Sequence, residues 1–551
     1  MRRIWPLVGI CLLLFVSAFA LLLPGIHQAV GLYDEGVITY GAVRVMDGHV
    51  PYRDIWVIYS PAQFYVLAAA FKLFGTSIMV ERLWDTTARA LLSVIAYLIA
   101  TRLTSRRAAL LAWLAVVAWV GYYGFYGYPA FPAIDCCFAS ILAMTIAFRR
   151  QHPQRERWLV LSGVMLGLAA LFRVDFAFYC CTGQALALAL FTLQPGPGSA
   201  KATVPPTDTW RYSLPRALRF AGNNALPFVL SATVIVVPVA TYFLVQTPLK
   251  DLVYDLFTFP TAVFPGVRAL PYPALKSLYH LPFYLPFLAY ALSGATAFVM
   301  ARRRTVEGAS YGLCVLMMTV FGMLSWNQAR VRSDVIHTTA FLLPALILIV
   351  VLLRGIPRAT DGAPNTPSSH LTRAKQPLPA LAALMLVLIL FKPIVHRINL
   401  LTGSKHMSPP ITHGLARADT ALVDPAAAQV ARFLQAKTGL QERIYIGGSV
   451  HDRIFASEPM LYFLAARHSA TRYHELHPGV ATTAPVQREI VADLEKYRVS
   501  YLVLSNRFAN VHEPNESAMS SGVKILDEFI SSHYLPVIQI GPYTIWSRVS
   551  Q

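Results

Sequence analysis

Apolar runs close to the length of a bilayer crossing recur along this chain, beginning with Leu7–Leu23, and they constrain its fold more than any other feature. Inside a bilayer every backbone N–H and C=O must be satisfied within the protein, so such runs become helices, each needing about 20 residues to cross. The pattern yields about eleven transmembrane helices. They lie near 6–23, 78–101, 108–121, 136–148, 158–172, 176–194, 226–246, 279–301, 308–324, 336–353 and 378–395. Several are short, so tilted or broken helices are expected. Of the residues, 56% are hydrophobic and only 14% charged, against about 25% charged in soluble domains. An ordinary soluble enzyme and a disordered chain are both excluded, and the fold class is a polytopic α-helical membrane protein.

The net charge of +19 could suggest nucleic acid. Here the basic residues sit in short loops between apolar runs, where they set orientation instead, and no nucleic-acid partner is expected. One set of alternating loops (1–5, 102–107, 149–157, 195–225, 301–307, 354–376) holds about 20 Lys and Arg against about 4 Asp and Glu. The opposite set holds about 9 of each. The first set is therefore assigned to the cytoplasm of an inner (plasma) membrane. The amino terminus lies inside and, with an odd span count, the carboxyl terminus outside. Arg2 and Arg3 precede a long apolar stretch without a small-residue cleavage site, which reads as an uncleaved first span. The six cysteines lie in or beside apolar runs with no CxxC and read as packing residues.

The outer loop at 24–77 contains Pro61–Gly75, apolar but too short to cross, which suits a helix lying in the interface. Residues 194–209 and 355–379 read as Pro/Gly/Ser-rich linkers. From about 400 the pattern becomes that of a small α/β domain. Strands are expected at 444–446 and 501–504, helices at 458–467, 485–497 and 523–530, and a closing hairpin at 537–540 and 543–546. The expected division is 1–400 in the membrane and 401–551 outside.

The candidate chemistry gathers on the outer side. Asp34 and Glu35 stand about ten residues past the first span; a carboxylate there could act as general base, or Asp34 could simply cap the helix that follows. Arg53 could hold a phosphate or pair with Asp54. Arg330, Arg332, Asp334 and His337 enter an apolar helix on the outer side. Ionisable groups at membrane depth usually serve a site, and the arginine fork suits a phosphate; a structural ion-pair network is the alternative. Glu81, Arg82, Asp85 and Arg89 recur on one helix face and read as a buried ion-pair ladder. Arg173 and Asp175 occupy a very short outer turn and could point into a cavity. Asp135 is a second acidic contributor or a cap, and Lys276 and His280 could meet a phosphate or be merely exposed. The HELH of His474–His477 lacks the HExxH spacing of a zinc protease. Neither a Walker A sequence nor GxSxG is present.

Taken together, the YDEG after the first span, the DGHVPYRD segment with its following YSPAQFY helix, the ERLWDTTARALL start of the second span, the RVRSDVIH element and the outer α/β domain resemble the GT-C superfamily of membrane glycosyltransferases. The resemblance is to the protein O-mannosyltransferase and lipid A aminoarabinose transferase branch, the glycosyltransferase 39-like proteins. It implies a transferase passing a sugar from a polyprenyl-phosphate donor to an extracytoplasmic envelope lipid, glycan or protein. Asp34 would be the base, with Glu35 assisting or helping to hold a divalent cation (Mg or Mn) if one is used. Arg330 and Arg332, with Arg53 and Lys276, would bind the donor phosphate, and Asp334, His337, Arg173 and Asp135 would support. The rival reading is a transporter or flippase of lipid-linked precursors; the absence of an internal repeat weighs against it.

Overall fold

Every apolar segment expected to cross the membrane is helical in the computed structural model, which describes residues 4–122, 124, 127, 129–150, 154–193, 209–301, 306–354, 377–403 and 414–549. Helix α1 (Ile4–Leu22) leads to an outer loop carrying α2 (Asp34–Met46) and α3 (Ala62–Phe74). Then come α4 (Ile78–Leu103), α5 (Arg106–Val120), α6 (Ala130–Ala147), α7 (Gln154–Phe172), α8 (Val174–Leu193) and α9 (Thr209–Gln246). A broken helix follows, α10 (Leu249–Val253) and α11 (Phe264–Arg268) joined by wider, π-helical turns over Tyr254–Val263. The bundle closes with α12 (Leu285–Ala301), α13 (Val306–Val331), α14 (Thr339–Leu352) and α15 (Pro377–Leu401). Among the described residues, seven helices are long and apolar enough to cross a membrane by length and composition. The two linkers, apart from their ends, lie outside the described residues, as do residues 404–413 just past the expected domain boundary.

Local chemistry sets these elements. The Ser77 hydroxyl accepts from the Met79 N–H to start α4, and Ser105 does the same for α5 through Ala108. Helix α14 is apolar on all sides and buried along its whole length, the pattern of a central bundle helix. The polar ladder of α4 is buried, as expected: Arg89 pairs with Asp85 at 2.6 Å. Several helices extend beyond their expected limits. In particular α13 runs through Val331, so Arg330 belongs to its last turn and not to the start of the next span.

The carboxyl-terminal region comprises α16 (Pro425–Lys437), β1 (Arg443–Gly448), α17 (Met460–Ala465), β2 (His468–Ser469), α18 (Ala484–Lys496), β3 (Tyr501–Ser505), α19 (Ile525–His533), β4 (Tyr534–Ile540) and β5 (Tyr543–Arg548). The sheet order is β2-β1-β3-β5-β4. Strand β1 runs parallel to β2 and β3, and β5 antiparallel to β3 and β4. Helix α16 and the two-residue strand β2 had no sequence expectation; the hairpin turn at Gly541-Pro542 and the remaining elements did.

The outer loop is built into this region. Tyr40 of α2 stacks on Tyr462 of α17 with centroids 4.9 Å apart, and its hydroxyl accepts from the Ser469 N–H at 2.6 Å. Gly36 lies so close to Met460 that a Cβ would stand 2.4 Å from the Met460 nitrogen, which requires glycine there. Residues of 24–77 and of the carboxyl-terminal region share one apolar core. Whatever the outer loop does, it does against the surface of the α/β region.

Candidate active site

Asp34 is the first residue of α2, and its carboxylate caps nothing: the helix opens after Tyr33 with no side-chain cap. Among the described residues it accepts no hydrogen bond. It is half-buried, and burial raises its pKa above the usual carboxylate range against the pull of Arg268, His337 and Arg332. A desolvated, unbonded carboxylate of raised basicity is equipped to take a proton from an attacking group.

Glu35, one residue on, points the other way, since successive helical residues diverge by about 100°. It is buried and gripped by Arg82, at 2.8 Å to Nε and 3.1 Å to Nη2, and it also accepts from the Gly31 N–H. Its position corrects the expectation of an assisting or cation-holding role, because both of its oxygens serve the Arg82 anchor. Among the described residues no three His, Cys, Asp or Glu side chains gather into a set that could hold a metal ion. The residues present do not fit a divalent cation at Asp34.

A cavity of about 570 Å³ opens between α8, the 254–264 stretch and the end of α13; Asp34 is not part of its lining, but Arg332 and His337, which act on Asp34, are. Phe178, Leu256, Phe257, Pro260 and Phe264 make it largely apolar, while Arg173, Asp175, Gln328, Arg332 and His337 add polar groups. Arg173 is bidentate to Asp175 (2.9 and 2.7 Å), which also accepts from Gln328 Nε2 at 2.7 Å. Arg332 donates to both oxygens of Glu513 (3.0 and 2.8 Å) from the carboxyl-terminal region and lies 3.4 Å from Asp334. His337 is held by Asp334 through its Nδ1 at 2.7 Å. Arg332, Asp334, His337 and Arg173 thus surround one cleft, with Asp34 in the electrostatic reach of the first three.

The other expected residues lie elsewhere. Arg330 is exposed and bonds Asn327 of its own helix. Arg53 is 41% exposed and pairs locally with Asp54 while reaching Gln246, the plain salt-bridge alternative. Lys276 is exposed, outside the cavity lining. Asp135 is buried within the helix bundle on α6, one oxygen without a hydrogen-bond partner, remote from the outer cleft. Neither it nor Lys276 joins the site, because position in the chain does not reveal which face of a helix or loop a side chain occupies.

Arg268 had no sequence expectation. It is 4% exposed, and among the described residues its one side-chain hydrogen bond runs from Nη2 to the Tyr33 hydroxyl at 3.0 Å. Its guanidinium lies 5.5 Å from the ring centroids of both Tyr33 and Phe455. Of all charges, it pulls hardest on Asp34. The available signal was an arginine in the apolar, proline-flanked outer segment PGVRALPYP.

Residues 59–196 match the family model described as dolichyl-phosphate-mannose-protein mannosyltransferase. No curated protein sequence matches the chain. Among solved structures, ArnT from Cupriavidus metallidurans bound to undecaprenyl phosphate is similar at 15% identity and a TM-score of 0.52, over 100% of this chain and 98% of that one. Its apo form gives a TM-score of 0.54 at 15% identity, over 99% and 98%. The oligosaccharyltransferase AglB from Archaeoglobus fulgidus, in complex with an inhibitory peptide and a dolichol-phosphate, gives 0.50 at 12% identity over 100% and 75%. The fold is similar to that of these ArnT and AglB structures: a helical bundle with a small carboxyl-terminal sheet.

Proposed function

We propose, on the premise of this GT-C fold, that the chain is an integral-membrane glycosyltransferase moving a sugar from a polyprenyl-phosphate donor to an extracytoplasmic envelope acceptor. The observation that carries the reading is the unbonded, half-buried Asp34 carboxylate set against Arg268, Arg332 and His337, the last two of which line a largely apolar 570 Å³ cavity. A lipid-linked donor stays in the bilayer, so it needs an apolar groove for its tail, cations at its phosphate and a base toward water. Two structural relatives carry a polyprenyl phosphate, undecaprenyl in one and dolichol in the other, which supports this donor class.

In the proposed step Asp34 takes the proton of the attacking acceptor group. The acceptor atom bonds the anomeric carbon as its bond to the phosphate oxygen breaks, and inversion follows from direct displacement. The electron pair stays on the departing polyprenyl phosphate, whose growing charge meets the Arg268 and Arg332 guanidiniums. Aromatic and aliphatic walls from α8 and 254–264 take the isoprenoid chain nearest the phosphate. The orientation that puts the α/β region outside the cell completes the reading.

The test is label transfer. The protein in lipid nanodiscs receives a radiolabelled polyprenyl-phosphate sugar and an envelope extract. Asp34→Asn should lower transfer by about 10²–10⁴-fold while donor binding persists. Normal transfer by that variant overturns the assignment, and donor movement across the bilayer without transfer would point to a flippase.

A further inference from the structure

We propose that Glu475, carried by the carboxyl-terminal region, is a positioning residue for the transfer step, acting through Tyr33 on Arg268. This rests on the reading above and deepens it: it makes the α/β region part of the machinery that tunes the base.

The sequence presents Glu475 within HELH, a pattern that fits no metal. The structure gives it another use. Tyr33 immediately precedes Asp34, and its hydroxyl donates to Glu475 Oε1 at 2.7 Å. A phenol has one proton to give, and an arginine can only donate. The direction of the chain is therefore fixed: Arg268 Nη2 donates to the Tyr33 oxygen at 3.0 Å, and Tyr33 donates to Glu475. The cation is also packed against the rings of Tyr33 and Phe455. Nothing else hydrogen-bonds the Arg268 side chain among the described residues, so this relay is what aims it. Residues Tyr33 and Glu475 are 442 positions apart, and the contact exists only because the outer loop and the α/β region share a core.

Glu475 is 3% exposed, and its Oε2 is buried with no hydrogen-bond partner. Such a carboxyl is poised between two states. Ionised, it draws Tyr33 and Arg268 toward itself and, as a like charge, raises the basicity of Asp34. Protonated, it leaves Arg268 to Asp34 and to the incoming phosphate. The charges facing it are Tyr33 and Asp34 from the start of α2 and Arg268 from α11. On its own segment, burial keeps His474 and His477 neutral, so neither supplies a compensating charge; Arg332 acts on His477 from before α14. Burial pushes Glu475 up to about 7, opposed by the Tyr33 bond and Arg268 and reinforced by Asp34. Its two states are both populated near neutral pH.

The experiment is the pH profile of transfer from a radiolabelled polyprenyl-phosphate sugar by the full chain in nanodiscs. Glu475→Gln keeps the acceptor for Tyr33 and removes the charge. The expected result is a roughly tenfold lower kcat, a nearly unchanged donor KM, and loss of the inflection near 7. Tyr33→Phe, which leaves Glu475 in place, should reproduce the kcat loss, and the double variant should be no worse than either single one. Unchanged kcat and pH profile in Glu475→Gln overturns the proposal. So does a loss that leaves the wild-type profile shape and multiplies with that of Tyr33→Phe, because that is the behaviour of structural damage. Asp34→Asn separates the levels. If Asp34→Asn transfers normally, the transfer reading falls and this inference with it; if Asp34 is essential and Glu475→Gln is silent, this inference falls alone.

Discussion

The two neighbouring carboxylates Asp34 and Glu35 should differ in kind when altered, and Glu35→Gln is the sharper test. Arg82 is fully buried and Glu35 nearly so, joined by two hydrogen bonds at 2.8 and 3.1 Å. Arg82 also donates to the carbonyls of Ile26, Gln28 and Ala29. That pair closes the loop between α1 and α2 onto α4. Neutralising Glu35 takes the paired carboxylate away from a buried guanidinium, a change of about 3–5 kcal/mol when one member of a buried pair is removed. Each kcal/mol lowers Tm by about 2–4 °C in domains of about 150–250 residues and by less in larger ones, so a fall of at most roughly 6–20 °C is expected. Asp34 makes no hydrogen bond, so Asp34→Asn should stay within about 0.5 kcal/mol of the wild type. Thermal unfolding in nanodiscs, followed by tryptophan fluorescence, gives the stability; label transfer on the folded fraction gives the activity. If Glu35→Gln melts like the wild type yet loses transfer, Glu35 belongs to the chemistry and the division of labour drawn from the geometry is refuted.

Arg268→Ala removes charge-assisted hydrogen bonds to the donor phosphate, about 1.5–3 kcal/mol, and should raise the Kd for a radiolabelled polyprenyl phosphate roughly 10- to 100-fold in filter binding; an unchanged Kd would place the phosphate elsewhere. Glu513→Gln weakens the bidentate hold on Arg332 and should tighten donor binding several-fold in the same assay; weaker binding would show that Glu513 braces Arg332 for the donor. The pH dependence of stability follows from Glu475. Its pKa rises from 4.5 to about 7 on folding, so the native state favours the protonated form. That contribution is complete below about 4.5 and is lost as pH rises through about 7, amounting at most to about 3 kcal/mol. The Glu475→Gln variant should therefore gain Tm relative to the wild type on moving from mildly acidic to mildly basic buffer, and a difference constant with pH would contradict the burial argument.

The membrane architecture was legible because its signal is local. An apolar run long enough to cross a bilayer has one stable backbone solution, and each of the eleven expected segments is a helix. Alternation and turn residues likewise disclosed β1, β3 and the β4–β5 hairpin. Weak local signals were missed: β2 has two residues, and the 249–268 stretch winds through mixed helical geometry with Pro260 inside it. The helix α16 buries Val430 and Leu434, but the rest of its inner face is made of Ala427, Ala428 and Ala431, which stand out little from a polar background.

The site was legible only where one segment carries its own chemistry. RVRSDVIH brought Arg332, Asp334 and His337 to the cleft, yet Arg330, two residues away, falls on the outside of α13. Asp34 and Glu35 are indistinguishable in sequence; their fates are decided by one 100° helical step and by Arg82, 47 positions on. Arg268 and Glu475 could not be reached this way at all. Each is an ordinary charged residue in its own segment, and each gains its meaning from Tyr33, which lies 235 positions from Arg268 and 442 from Glu475. Asp34 and the cation that pulls hardest on it are thus brought together by three segments that meet only after the outer loop has packed against the carboxyl-terminal region. A change in the Tyr40–Tyr462 stack or at Gly36 should for that reason impair the site without touching any group in it.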